Sequence, residues 1–213
     1  MNQITLGALT AVAPAGPPNQ RALAKQRTRE KILAAARRLF AERGYEGATI
    51  RDIAKAAGMS TGAVFASFAD KADLFGEILE AEQAALREAM GAAAAGKHGQ
   101  AAIVAMFDAA ADLHMAELAL FQAGMAAMWT PGLAAQLRRR LDRRPVAPLI
   151  AAAAREDVGC GEARIDALQT AGLLWEAYAA VLRRAGAEGL TLQAVKAQLP
   201  EKFATILAGA RRS

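Results

Sequence analysis

Apolar residues recur along this 213-residue chain at the three-and-four spacing of amphipathic helices, and the two-residue alternation of strands is nearly absent. The pattern predicts an all-α protein. Its first helix starts between Asn19 and Thr28 and runs to Glu42, with Ile32, Ala36, Leu39 and Phe40 on one face, and Gly44 stands where a terminating glycine would. Thr49 then caps a second stripe, Ile50, Ile53, Ala54 and Ala57, with Asp52 placed for a capping-box-like start and Gly58 as the stop. Ser60 is the N-cap candidate of a very short helix over residues 61–68, in which Val64 and Phe68 face inward and Thr61, Gly62, Ala63 and Ser67 outward. Asp70 caps a fourth helix that continues to about Met90. Short helices with a tight Gly-Met-Ser turn between the second and third have the layout of a helix-turn-helix.

Weaker periodicities follow a glycine-containing connection over residues 91–99. Ile103, Met106, Phe107, Ala110 and Leu113 form one stripe, and Leu118, Phe121, Met125, Met128 and Trp129 the next. Thr130-Pro131 opens a helix that ends near Arg143-Arg144-Pro145, and another helix over 146–155 precedes a loop at 158–161. Ile165, Leu168, Gly172, Trp175, Ala179 and Leu182 define a long helix flanked by the small residues Ala167 and Ala171. Leu192, Val195, Leu199, Phe203 and Ile206 define the last, which Pro200 is expected to kink or split. The expected organisation is a mobile tail over 1–20, a helix-turn-helix domain over 21–75 and a helical domain over 76–213.

Charge sharpens this division. From Arg21 to Lys71 there are eleven Lys or Arg against five acids, a net of +6, whereas the whole chain carries +5. The excess points to a polyanion facing the N-terminal part. Cys160 is the single cysteine, so no internal disulfide forms, and a cytoplasmic location is the expectation. The first twenty residues hold no charge and three prolines, unlike a signal peptide, and no apolar run is long enough for a membrane span.

The outward set on the short third helix is small and weakly polar, which suits close entry into a major groove, where Thr can bond a base edge or phosphate and Ala can meet a thymine methyl. Lys71 sits in the first turn of the fourth helix, where its ammonium and the unpaired backbone N–H groups can meet a phosphate together. Enzymatic chemistry has no footing: His98 and His114 lie at no metal-ligand spacing with each other or with Cys160, no glycine-rich phosphate loop occurs, and no Ser/His/acid pattern emerges. No metal, cofactor or catalytic residue is expected. A sensing role for Cys160 has no thiolate-stabilising cation beside it in sequence.

The segment ILAAARRLFAERGYEGATIRDIAKAAGMSTGAVFASFADKADL closely resembles the DNA-binding domain of the TetR-like transcriptional regulators, whose pattern is ILxAAxxLFxExGYExTTxxxIAxxAGxSxGxxYxHFxxKxxL. The resemblance covers the N-terminal quarter to third of the chain. It implies DNA-contact positions at Arg27, Thr49 and Arg51, at Ser60, Thr61, Gly62, Ala63, Phe65 and Ser67 around the recognition helix, and at Lys71. Arg51 is the best candidate for a bidentate guanine contact. Phe65 stands where the family usually has Tyr and Ser67 where it usually has His, so phosphate contacts are fewer than usual; Phe65 is either a contact or part of the core. Arg37, Arg38 and Arg43 are read as solvent-facing charges.

The resemblance also implies a homodimer paired through the last two long helices, a repressor function and a small-molecule effector. Candidate wall residues are Phe107, His114, Met115, Phe121, Met125, Met128, Trp129, Trp175 and Tyr178, each of which ordinary core packing would equally explain; such a pocket would take a hydrophobic or aromatic ligand. The partners expected are pseudo-palindromic double-stranded DNA, a second copy of the chain and the effector, and no membrane. The rival reading is a helical ligand-binding or protein-interaction module whose head no longer binds DNA.

Overall fold

The computed structural model describes residues 20–141, 146–158 and 166–210. Among these the chain forms ten helices and no strand: α1 (Gln20–Gly47), α2 (Ile50–Ala57), α3 (Thr61–Phe65), α4 (Lys71–Ala94), α5 (Gly99–Ala116), α6 (Leu118–Ala127), α7 (Leu133–Leu141), α8 (Ala147–Val158), α9 (Ala167–Glu188) and α10 (Leu192–Ala210). The expected tail over 1–20 lies, except for Gln20, outside the described residues, as do Arg143, Arg144, Pro145, Cys160 and Ile165.

Local signals set the first four helices. Gly44 adopts φ 69°, ψ 177° and breaks the helical path of α1, a conformation that costs a side-chain-bearing residue more than glycine. The Thr49 hydroxyl accepts the Asp52 amide and donates to the Asp52 carboxylate. The acid therefore takes the hydroxyl proton rather than the backbone N–H of a true capping box. Gly58 ends α2 in the left-handed conformation. Ser60 and Asp70 accept the amides of Ala63 and Asp73 and so cap α3 and α4. The helical run of α3 stops at Phe65, three residues short of the expected span, and Ala66 to Phe68 complete it as a turn.

Two apolar cores organise the packing. The first gathers Ile32, Leu39, Phe40, Ile53, Val64, Phe68, Leu74 and Phe75 from α1 to α4, together with Leu120, Ala123 and Ala127 of α6 and Leu133 and Leu137 of α7. The second gathers Leu86 and Met90 of α4 with α5, α8, α9 and α10 around Phe107, Tyr178 and Phe203. α4 is the physical link, because it enters the first core with its N-terminal half and the second with its C-terminal half. It continues to Ala94, past the expected end at Met90, since Gly91 stays helical and the positive-φ turn falls at Gly96. The expected boundary at residues 75 and 76 falls inside this helix.

Elsewhere the stripes rotate from their expected faces. On α5 Leu113 is exposed, and Ala111 and His114 are buried instead. On α6 Leu120 and the small Ala123, Gly124 and Ala127 face inward, because close approach to α1 favours small side chains along most of this face. This turns Phe121, Met125 and Met128 to the flank and leaves Trp129 81% exposed. On α9 Leu168 and Gly172 face outward, whereas Ala171, Leu174, Tyr178, Val181 and Leu182 are buried. Pro131 lies in a turn before α7 rather than at its first position. α10 remains a single helix through Pro200, whose exposed position lets water serve the carbonyl group left without an N–H partner. No helix among the described residues is long and apolar enough to cross a membrane.

Candidate nucleic-acid interface and ligand cavity

The surface of α3 follows from how its other side is held. Val64 is fully buried and Phe68 is 2% exposed, so the first core anchors one side of this single turn and its continuation. Thr61, Gly62, Phe65 and Ala66 consequently face solvent, with Ala63 and Ser67 half-buried beside them. Phe65 is 56% exposed, which settles its side chain on the surface rather than in the core. The Ser67 hydroxyl donates to the Ala63 carbonyl within its own turn, and the Thr49 hydroxyl is held by Asp52, so neither is presented as an unengaged donor.

The cations of the head divide into two groups. Arg29 donates to Glu77 and to the Ser67 carbonyl and lies 4.2 Å over the Phe68 ring, tying α1 to α4 and to the turn after α3. Arg37, expected to face solvent, instead donates to Glu82 of α4 and Glu117 at the start of α6 at 2.5 and 2.7 Å. Arg38 pairs with Glu42 and Arg43 with Asp52, each at 3.7 Å. The Lys71 ammonium donates to the Tyr45 carbonyl at 2.9 Å, stands 4.1 Å over the Tyr45 ring and is 3.7 Å from Glu46. It is thus engaged with the end of α1 rather than held out at the α4 N-terminus. In the second group, Lys25, Arg27, Lys31, Arg51 and Lys55 are exposed and make no ion pair or hydrogen bond among the described residues. Arg51 and Lys55 lie on α2, the helix that precedes the Gly58 turn into α3.

A second ionic cluster joins α7 to α4. Arg140 donates to the Asp73 carboxylate at 2.5 Å, the Asp73 carbonyl at 3.2 Å and Glu80 at 3.0 Å. Its stem crosses Gly76, where a built Cβ would lie 2.8 Å from Arg140 Cδ. Partial burial works to raise the Asp73 carboxyl, but the Ala69 amide and the Arg140 guanidinium outweigh it and hold that group below its ordinary range. Arg140→Ala is expected to cost about 1–2 kcal/mol, because it strips a half-buried, multiply bonded guanidinium from three acceptors. Arg140→Lys should recover less than half of that, since an ammonium cannot reproduce the fork. Urea midpoints of the two variants check the pair; equal stability of Arg140→Ala and wild type would show the cluster to be inert.

The sequence-proposed wall residues separate into three sets. A cavity of about 90 Å³ lies between α4, α5, α6, α7 and α9, and His114, Phe121, Met125, Met128 and Trp175 line it with Leu79, Leu120 and Leu141. Phe107 and Tyr178 are fully buried in the second core, with ring centroids 5.0 Å apart. Met115 packs against that same core, and Trp129 stands outside on the surface. Glu82, Gln83 and Gly124 also line the cavity, and these three with Leu79, Leu120 and Leu141 are wall residues that the sequence patterns do not single out. Among the described residues, no group of His, Cys, Asp and Glu could hold a metal ion.

With this geometry in place, likeness to known proteins is informative. Residues 32–78 match the family described as bacterial regulatory proteins, tetR family. This segment is similar to the DNA-binding head of that family. Around this segment, the chain is 48% identical over 61 residues to the HTH-type transcriptional repressor AcnR of Corynebacterium glutamicum, covering 29% of this chain and 32% of that one. It is 44% identical over 63 residues to the HTH-type transcriptional regulator AcrR of Shigella flexneri, covering 30% and 29%. The matches thus span about a third of these relatives' length. The fold extends further: the fatty acid degradation regulator FadR of Bacillus halodurans aligns over 87% of this chain and 97% of its own, with TM-score 0.70 and 16% identity. FadR of Bacillus subtilis in complex with stearoyl-CoA aligns over 84% and 98%, with TM-score 0.69 and 16% identity. At those identities the likeness describes architecture, an N-terminal helix-turn-helix followed by a helical domain.

Proposed function

We propose that this protein is a homodimeric, sequence-specific DNA-binding repressor of transcription in the cytoplasm, released from a pseudo-palindromic operator by a small hydrophobic or aromatic effector. The observation that carries the reading is the exposed Thr61, Gly62 and Phe65 surface of α3, with Ala63 half-buried among them, beside the exposed cations of α2, Arg51 and Lys55. A helix of that chemistry can approach base edges closely, and cations that make no ion pair or hydrogen bond among the described residues are ready to meet phosphates or guanine. Residues 21–75 serve in this reading as the DNA-binding part and residues 76–213 as the regulatory part. Arg27, Thr49, Ser60, Ser67 and Lys71 are assigned to the phosphate backbone, with Lys71 exchanging its Tyr45 carbonyl for a phosphate oxygen.

A single head of this size reads few base pairs. Two heads about 34–36 Å apart reach successive major grooves, so pairing of two chains gives both affinity and symmetry. α9 presents Leu168 at 53% and Leu173 at 46% exposure, and we assign the outward face of α9, with α10 beside it, to the pairing surface. Effector control requires only that the ligand prefer one setting of α4 over another. The cavity touches α4 at Leu79, Glu82 and Gln83, so its occupant contacts the helix that runs into both cores.

Selection of duplexes from a random pool tests the proposal. The expected result is a two-fold symmetric consensus bound by two chains. Absence of any enriched sequence would overturn the regulator reading and favour a module that binds ligands or proteins through an idle head, in keeping with a Phe at position 65 that lacks a hydroxyl.

A further inference from the structure

Of the residues with polar groups that line the cavity, Glu82, Gln83, His114 and Trp175, the histidine is the one whose chemistry its surroundings fix. His114 is 8% exposed and lines the cavity, with its Nδ1 2.8 Å from the Tyr178 hydroxyl. Tyr178 is fully buried, and His114 Nδ1 is the hydrogen-bond partner of its hydroxyl. If Nδ1 carried the proton, the Tyr178 hydroxyl hydrogen would be buried without an acceptor, so Tyr178 donates, Nδ1 accepts and the proton of the neutral ring resides on Nε2. Burial supports this neutral form by lowering the imidazole to about 4. Nε2 has no hydrogen-bond partner among the described residues.

The rest of the wall restricts the ligand. Leu79, Leu120, Met125, Met128 and Leu141 are apolar, and Phe121 lies with its ring centroid 4.5 Å from that of His114. No lysine or arginine lines the cavity, and the one carboxylate, Glu82, already accepts from Arg37. An anion would meet the Glu82 carboxylate with no cation in the cavity wall to bind it. A cation offers donors to a site whose buried polar group is itself a donor. Both would also lose hydration in an apolar space. A volume of about 90 Å³ suits a single ring.

We infer that the cavity binds an uncharged, ring-sized aromatic molecule carrying one hydrogen-bond acceptor, such as a carbonyl oxygen, which the Nε2–H of His114 engages. This deepens, and rests on, the reading of residues 76–213 as an effector domain. Specificity then comes from an unmet donor: a hydrocarbon of the same shape leaves the buried N–H unpaired, whereas the ketone satisfies it.

Calorimetric titration of the full chain with acetophenone, ethylbenzene and benzoate tests the inference. Wild type should bind acetophenone at least about tenfold more tightly than ethylbenzene, the discrimination expected when a buried donor is left unpaired, and should bind benzoate more weakly than either. His114→Phe, which keeps the ring and removes the donor, should bring acetophenone and ethylbenzene within about twofold of each other. Tyr178→Phe frees Nδ1 to take the proton, so it should lower the acetophenone preference severalfold while leaving ethylbenzene affinity unchanged. Equal binding of the two neutral probes by wild type, absence of binding of any probe, or a preference that survives both substitutions would overturn the inference. Duplex binding measured on the same samples separates this from the regulator reading: selective duplex binding that acetophenone does not weaken contradicts effector control and leaves the ligand chemistry standing, and failed acetophenone selectivity with intact duplex selectivity does the reverse.

Discussion

Phe75→Ala should remove about 3–5 kcal/mol of stability from the helix-turn-helix head, the cost of emptying a large aromatic site in a packed core. Phe75 is fully buried on α4, with the Phe40 ring 4.6 Å away in an edge arrangement and the Tyr45 ring at 5.2 Å. Those rings hold the end of α1, and Tyr45 in turn supplies the carbonyl that Lys71 engages. The substitution therefore disconnects the first turns of α4 from α1, and the position of α3 depends on both. Duplex binding should fail under conditions in which the second core, built around Phe107, Tyr178 and Phe203, remains folded. Phe65→Ala is the contrasting case: its ring is mostly exposed, so stability should change by no more than about 0.5 kcal/mol, while duplex binding weakens. Denaturant titration followed by far-ultraviolet circular dichroism, alongside a duplex-binding assay, checks both. A Phe75→Ala protein as stable as wild type would show that the ring cluster does not hold the head together.

Acid should destabilise the helical domain through His114. Burial lowers its folded-state value from 6.5 to about 4, so as pH falls the unfolded chain takes up the proton first. The stabilisation is complete above pH 6.5, declines between 6.5 and about 4, and changes no further below that. Its full size is about 3 kcal/mol, from roughly 1.4 kcal/mol for each unit of separation. Asp73, held below the ordinary carboxylate range, acts in a lower window, its stabilisation being lost as pH falls below about 4. Comparing urea midpoints of wild type and His114→Phe at pH 7.5 and 4.5 isolates the histidine. Wild type should lose substantially more stability across this interval than the variant; parallel losses would mean that His114 titrates normally in the folded protein.

Much of the head was legible because its signals are local. Thr49, Ser60, Asp70, Gly44 and Gly58 each act on backbone groups within a few residues, and the caps and breaks they announce are the ones that form. The second part was less legible because its faces are set by partners distant in sequence. α6 turns its small residues towards α1, some eighty residues earlier, and that single choice sends Phe121, Met125 and Met128 to the cavity and Trp129 to solvent. Large side chains at helical spacing fit either a core or a wall, so Phe107 and Tyr178 could not be told from Phe121 and Trp175 before the helices were packed. Arg37 illustrates the same limit for charges: nothing near it in sequence announces Glu82 or Glu117. Pro200 does not split α10, since a missing N–H on an exposed helix face can be offset by water without ending the helix.

The most direct test of the regulator account is duplex affinity across a salt series, for the selected site and a scrambled duplex, with wild type and Arg51→Ala. Wild type should bind the selected site with a steep loss of affinity as salt rises and should bind the scrambled duplex far more weakly. Arg51→Ala should lose about 1–3 kcal/mol of discrimination while retaining most of the salt slope, because one base contact is removed and the phosphate contacts remain. Equal affinity of wild type for both duplexes at every salt concentration would contradict the account, and would mean that α3 and its flanking cations serve something other than reading DNA sequence.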